Sequence, residues 1–277
     1  MPELPEVETL RRDAEALLLG RSIVAAEVIV PAVLRTPAPQ EFTARVQGAR
    51  FQTARRRAKY LLLDLDRGDT LAIALALYGQ LLLRPPDSAA TRDDLLRLAL
   101  DDGATLAAVD PARFTRVWLL PTAEVDAQLR FDALGPEPLE PAFTPERLAE
   151  RLGGRRARLK ALLLDQHVVA GLGNIYVDEA LWRARLHPAR SAASLTPEEI
   201  ARLHEAIQAV LRAGIADRGT TIHTYRDLRG EPGRHQHTLA VFQRRGEPCP
   251  RCGTPIAWLR LASRDTFVCP RCQPAPA

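Results

Sequence analysis

The chain has 277 residues, 46% hydrophobic and 26% charged, with a formal net charge of +4, enough length and apolar content for two domains with real cores. No apolar run approaches the ~20 residues that span a membrane, and Glu3, Glu6 and Glu8 exclude the basic start of a secretion signal. A cytoplasmic protein with no membrane partner is expected.

From the N-terminus, Leu4, Val7, Leu10, Ala14 and Leu17 recur at the period of an amphipathic helix, with Gly20 as its stop. Ahead of that helix stands Pro2. Once Met1 is removed, its ring nitrogen is a free secondary amine. An α-amino group has a pKa of roughly 7.7–8.0, against ~10.4 for lysine, so more of it is neutral near pH 7. A neutral amine attacks electrophilic carbon and forms an iminium. Glu3 and Glu6 are close enough in sequence to transfer protons. A proline opening a helix is the plainer reading, and it accounts for Pro5.

Runs of β-forming residues follow at Ser22–Val30, Tyr60–Leu65, Leu71–Leu75, Leu95–Leu100, Thr105–Val109 and Arg116–Leu120, divided by turns such as Arg67-Gly68-Asp69. Short strands at this spacing predict a sandwich or barrel. The basic cluster Arg55–Lys59 leads into the strand at Tyr60. Lys59 and Lys160 are the only lysines among 38 basic residues. That bias singles out both, because an ammonium is a compact, titratable charge that a guanidinium does not replace. Pro136, Pro138, Pro141 and Pro145 then break regular structure. The expected organisation is an N-terminal β-domain over 1–133, a linker over 134–145, a helical domain over 146–237 and a hairpin module over 238–277.

Thr144-Pro145 and Thr196-Pro197 each read as N-cap and first helical position, and Glu199 completes a capping box. Ile200, Leu203, Ile207 and Val210 share one face of the second helix. Between helical segments, Gly171-Leu172-Gly173-Asn174 can expose backbone amides to a phosphate. Residues 219–236 are rich in glycine and arginine, lack a period and read as a long mobile loop. Residues 218–264 hold nine arginines against three acids, a charge that suits a polyanion.

The four cysteines form two C-x2-C knuckles, Cys249/Cys252 and Cys269/Cys272, at the spacing of a zinc site. Four thiolates make a closed tetrahedral centre, so one structural Zn2+ is expected. Two disulfides are disfavoured without a secretion signal. Ile256–Leu261 and Thr266–Val268 would be the strands of a hairpin presenting Arg264 to a phosphate backbone.

PELPEVET at 2–9, RRRAKYLLLDL at 55–65, DPARF at 110–114, GLGNIYVDEALW at 171–182, GEPCPRCG at 246–253 and the final knuckle together resemble the bacterial formamidopyrimidine-DNA glycosylases, in that family's order and spacing over nearly the whole chain. The resemblance implies an α+β fold: an N-terminal β-sandwich opened by an amphipathic helix, then a helix–two-turns–helix domain and a zinc-finger β-hairpin. It implies a bifunctional glycosylase and AP lyase that removes oxidised purines from damaged double-stranded DNA, a monomer at the bacterial nucleoid. By the same resemblance Pro2 forms the Schiff base and Glu3 transfers the proton. Glu6 and Lys59 support the pocket, Lys160, Asn174 and Arg264 grip phosphates, and residues 219–236 close over the extruded base. The family fills the vacated stack with methionine, arginine and phenylalanine. Here Leu77 stands for the methionine and Ala112 for the arginine, with Arg113 adjacent, and only Phe114 matches. Weakened discrimination of the opposite base is therefore expected. An endonuclease VIII-type enzyme for oxidised pyrimidines is the nearest alternative, and Leu4, where that branch carries glycine, argues against it. A non-catalytic zinc-ribbon binder would have no use for Pro2.

Overall fold

Glu3 is the N-cap of α1 (Leu4–Leu17), and Pro5 lies in the first turn, where a missing N–H costs no hydrogen bond. Val7, Leu10 and Ala14 turn one face of α1 into the core, as their spacing predicts. The computed structural model describes residues 1–276. Its contacts divide it into two units, Met1–Asp132 with Ile215–Gln236, and Ala133–Gly214 with the residues from His237 onward.

In the first unit, α1 is followed by β1 (Ile23–Val28), β2 (Leu34–Thr36), α2 (Pro39–Val46), β3 (Phe51–Arg57), β4 (Tyr60–Leu65), β5 (Asp69–Ala74), β6 (Gln80–Arg84), β7 (Asp94–Leu100), β8 (Thr105–Val109), β9 (Arg116–Pro121) and the short α3 (Val125–Gln128). One sheet runs β1-β7-β8-β6 and the other β2-β9-β5-β4-β3. Leu61, Leu63, Ile73 and Val117 of the second sheet share one apolar cluster with Leu81, Leu96, Leu98 and Leu106 of the first, and α1 and α2 add Leu10 and Phe42. This is the expected sandwich.

The basic cluster leads into β4 as expected, but Arg55–Arg57 are also the end of β3, a strand the sequence did not reveal, which pairs with β4 in the register Arg57↔Tyr60. β3 is a sheet edge that buries only Phe51, so its apolar signal is weak. Ala58, at φ 50°, and Lys59 form the two-residue turn between them.

Residues 219–234 contain no helix or strand, in keeping with the long loop expected, and hydrogen bonds wire them closely. Asp227 accepts the N–H groups of Arg229 and Glu231 at 2.9 Å, and the Thr221 hydroxyl accepts that of Gly233 at 2.9 Å. Gly233 is obligatory, since a Cβ there would lie 2.1 Å from the Gly219 carbonyl oxygen.

The second unit contains α4 (Pro145–Leu152), α5 (Leu159–Leu164), α6 (Asn174–Ala184), most of α7 (Pro197–Ala216), and the hairpin β10 (Ala257–Leu261) and β11 (Arg264–Val268). Both expected caps are present. Thr144 Oγ1 accepts the Arg147 N–H at 3.2 Å, and Thr196 and Glu199 exchange bonds of 3.0 and 3.3 Å. Gly214 on α7 lies against the buried Tyr176 ring, which a Cβ would meet at 2.5 Å.

Candidate active site and metal centre

In the first unit, Pro2 is buried immediately ahead of α1. The adjoining Glu6 carboxylate, 2% exposed, has both oxygens committed. Oε2 accepts the Glu3 N–H at 2.8 Å and Oε1 accepts the Thr220 N–H at 2.7 Å. Glu6 thus ties the helix start to residue 220, and the Tyr225 hydroxyl donates to the Glu6 carbonyl at 3.3 Å. Burial pushes the Tyr225 phenol well up, so it stays a neutral donor. About two turns further along α1, Asp13 accepts from Arg218 Nη2 at 2.6 Å and from the Leu228 N–H at 3.3 Å. The Arg218 guanidinium is held above its usual range by Asp13 first and by Asp227. Two acids on α1 therefore anchor the 219–236 segment, a role that their exposed-looking sequence context hides.

Glu3 is buried at the same helix start. Lys59 is half-buried at the β3–β4 turn. Arg56, three residues before it, pairs with Glu8 of α1 at 3.2 Å, which holds this end of the hairpin against the helix.

Leu77 and Phe114 are brought together by their supports. Asp110, fully buried, accepts the N–H groups of Ala112, Phe114 and Thr115 at 2.9–3.0 Å, together with the Thr115 hydroxyl at 2.9 Å. The Thr115 oxygen in turn accepts the Ala76 N–H at 3.4 Å, joining this turn to the one that carries Leu77. A Cβ on Gly79 would come within 2.4 Å of that oxygen, so the approach requires glycine. The result is a rigid pedestal under an exposed apolar pair, with Leu77 48% and Phe114 66% exposed. Arg113 sits between Ala112 and Phe114 with φ 59°. The pedestal residues Asp110, Thr115 and Gly79 were missed in the sequence, where only the Asp-Pro turn signal was available to find them.

In the second unit, Lys160 is fully buried and its ammonium is engaged inside the fold. Nζ donates to Asp178 Oδ1 at 2.6 Å and to the Asp265 carbonyl at 3.0 Å. Asp178 Oδ2 accepts the Phe267 N–H at 3.0 Å, and Asn174 Nδ2 donates to the same Asp265 carbonyl at 2.9 Å. These bonds fasten β11 to α5 and α6. Burial pushes the Asp178 carboxyl up to about 7, with Lys160 pulling the other way. Beside it, buried Glu179 accepts the N–H groups of Ala240, Val241 and Phe242, each at 2.9 Å. Arg264 is exposed at the start of β11, after a turn in which Ala262 and Ser263 both have positive φ.

The four cysteines converge, with all sulfurs within 4.8 Å of one another. The separations are 3.4 Å for Cys252–Cys269, 3.5 Å for Cys252–Cys272 and 3.9 Å for Cys249–Cys272, and none is a disulfide. A tetrahedral zinc with Zn–S bonds of about 2.3 Å places its sulfurs about 3.8 Å apart, so the cage fits that ion. Metal analysis is expected to give one zinc per chain, lost when Cys252 and Cys272 are both changed to serine. A zinc-free native protein would reject the centre.

Family models match in series along the chain: the formamidopyrimidine-DNA glycosylase N-terminal domain at residues 1–117, the formamidopyrimidine-DNA glycosylase H2TH domain at 134–226, and a zinc finger found in FPG and IleRS at 246–275. The formamidopyrimidine-DNA glycosylase of Chloroflexus aurantiacus is 48% identical over 99% of this chain and 98% of its own length. That of Pelotomaculum thermopropionicum is 45% identical over 99% of both. Among solved structures, a Lactococcus lactis Fpg in complex with abasic-site DNA superposes with a TM-score of 0.93 at 34% identity, covering 99% of this chain and 100% of that one. A Lactococcus lactis Fpg mutant with Fapy-dG DNA gives the same TM-score and identity.

Proposed function

Because the chain belongs to the formamidopyrimidine-DNA glycosylase family, we propose that this base-excision repair glycosylase removes oxidised purines from duplex DNA, with Pro2 as its nucleophile and an AP-lyase step that cuts the strand. The observation that carries the assignment is the built N-terminus: Pro2 stands directly before a helix start that Glu6 clamps to Thr220. A damaged base inside a duplex is out of reach, so it is first extruded, at a cost of a few kcal/mol. The Pro2 nitrogen then forms a bond to the sugar's anomeric carbon, while the glycosidic bond breaks and its electron pair leaves with the base. The nitrogen loses its proton, the sugar's C1′–O4′ bond breaks as the ring oxygen takes up a proton, and the iminium so formed acidifies the neighbouring sugar carbon. Loss of that proton expels one phosphate, and a second elimination expels the other. Glu3, whose side chain accepts the Glu6 N–H at the helix start, takes the proton-transfer role that the resemblance gives it, while Glu6 braces the site. We place the enzyme, acting as a monomer, in the bacterial cytoplasm at the nucleoid; no helix among the described residues is long and apolar enough to cross a membrane.

Excision from duplexes carrying 8-oxoguanine, set beside duplexes carrying oxidised pyrimidines, tests the reading directly. Glu3→Gln should lose about 10²–10⁴-fold in excision rate while binding the lesion duplex nearly as well. Faster release of oxidised pyrimidines than of 8-oxoguanine would move the enzyme to the endonuclease VIII branch. Unchanged excision would remove Glu3 from the chemistry.

The pedestal at Asp110 makes a second expectation. Phe114 is held out to wedge into the stack, as apolar side chains do in distorted duplexes. Ala112 has no donor for the orphaned base, and Arg113 replaces one incompletely. Ala112→Arg should sharpen the preference for cytosine opposite 8-oxoguanine by about tenfold, the worth of one good base contact. Excision opposite C, G, T and A measures it, and strong cytosine preference surviving Arg113→Ala would refute it.

A further inference from the structure

Both knuckles read Cys-Pro-Arg-Cys, so Arg251 and Arg271 occupy equivalent places in the two halves of the metal site. With Arg185 they line a cleft of about 450 Å³ that also contains Cys252 and Cys272. Those two are the partly exposed thiols, while Cys249 and Cys269 are buried. Arg185 is the C-cap of α6 at φ 60°, in the left-handed region where a side chain is strained and glycine is the usual choice. Arg251 stacks on Trp182, 4.1 Å from the ring centroid, and donates to the Trp182 carbonyl at 3.0 Å. The Trp182 indole N–H in turn points at Cys249 Sγ, 3.4 Å away. Among the described residues no carboxylate pairs with any of the three guanidiniums. Their counter-charge is the site itself, because Zn2+ with four thiolates is a dianion.

We propose that Arg185, Arg251 and Arg271 form a cationic collar that protects the zinc–thiolate centre, lowering the nucleophilicity of Cys252 and Cys272 toward oxidants. The inference rests on the zinc reading of the four cysteines. A free cysteine in cationic surroundings reacts faster, because more of it is thiolate. A zinc-bound sulfur is already deprotonated, so only its intrinsic nucleophilicity is left to tune, and neighbouring positive charge reduces that. With hydrogen peroxide as oxidant, a sulfur–oxygen bond forms as the O–O bond breaks, giving a sulfenic acid and hydroxide, and the zinc loses a ligand. The helix C-terminus at Arg185 favours a cation as well, which offsets part of its backbone strain.

The test is zinc release from the full chain, shown beforehand to hold one zinc, on exposure to hydrogen peroxide with a zinc-responsive dye. Arg185→Gly, Arg251→Gln and Arg271→Gln should each speed release by about threefold and the triple variant by more than about tenfold, the scale of partly screened charge pairs. Arg271→Lys should stay close to wild type, and Arg185→Gly should keep the thermal midpoint of the loaded protein. Release at the wild-type rate in the triple variant overturns the proposal. So does acceleration that follows a falling midpoint across the set, or that Arg271→Lys shares, because then side-chain packing and not charge protects the metal.

Discussion

Retaining Met1, or adding any residue ahead of Pro2, is expected to abolish excision while duplex binding stays measurable. An acylated proline nitrogen has no lone pair to give, and no other group supplies the same covalent route. The loss should reach about 10⁴-fold or more, the scale seen when a catalytic nucleophile is removed. Borohydride added during reaction with a lesion duplex should reduce the iminium to a stable adduct, and peptide mapping should place it on residue 2. An adduct on Lys59 would sink the assignment of Pro2, and so would full activity in a protein proved to retain Met1. The surrounding geometry favours the reactive form of the amine in one respect. The positive end of α1 lies beside Pro2, which disfavours an ammonium there. Glu6, which would favour it, already accepts two backbone N–H groups, and these bonds offset its negative charge.

The first helix, the two caps and the cysteine cage were legible because each is tied to a local pattern. The period of Val7, Leu10 and Ala14, the caps at Thr144 and Thr196, and the cysteine spacing are set within a few residues of chain, and the structure keeps all of them. Runs of β-forming residues were found too, β4 and β8 to the residue. What escaped has partners far away in sequence. β3 carries three arginines on a sheet edge, so it has no apolar stripe to read. α2 buries only Phe42 and Val46, too few for a period. Asp178 and Glu179 look like an exposed acidic pair, yet both are buried, since their backbone N–H donors arrive from 61 to 89 residues further along and Lys160 from 18 residues before. The anchoring of the 219–236 segment by Glu6 and Asp13 was hidden for the same reason, with separations above 200 residues.

Lys160 gives the second large effect, and its burial decides the kind of effect. A lysine that grips a phosphate is exposed in free protein, and losing it reduces the salt slope of DNA binding by about one while stability is hardly touched. Lys160 is fully buried, and Asp178 and the Asp265 carbonyl take its donors. Asp178→Ala should therefore cost about 3–5 kcal/mol of stability, because it strands a buried ammonium. That corresponds to a thermal midpoint lowered by on the order of 10 °C for a chain of this size. Lys160→Met should be destabilising as well, and Lys160→Met with Asp178→Leu should be less so than Asp178→Ala alone, since no charge is left unpaired. DNA affinity should fall in the single variants, because Asp178 and Lys160 hold β11 and with it Arg264. The salt slope should not change for Lys160→Met, whereas Arg264→Ala should lower it by about one. Thermal melts and binding titrations from low to moderate salt separate the two roles. A Lys160→Met protein that melts like wild type and loses a unit of salt slope would return Lys160 to the phosphate backbone.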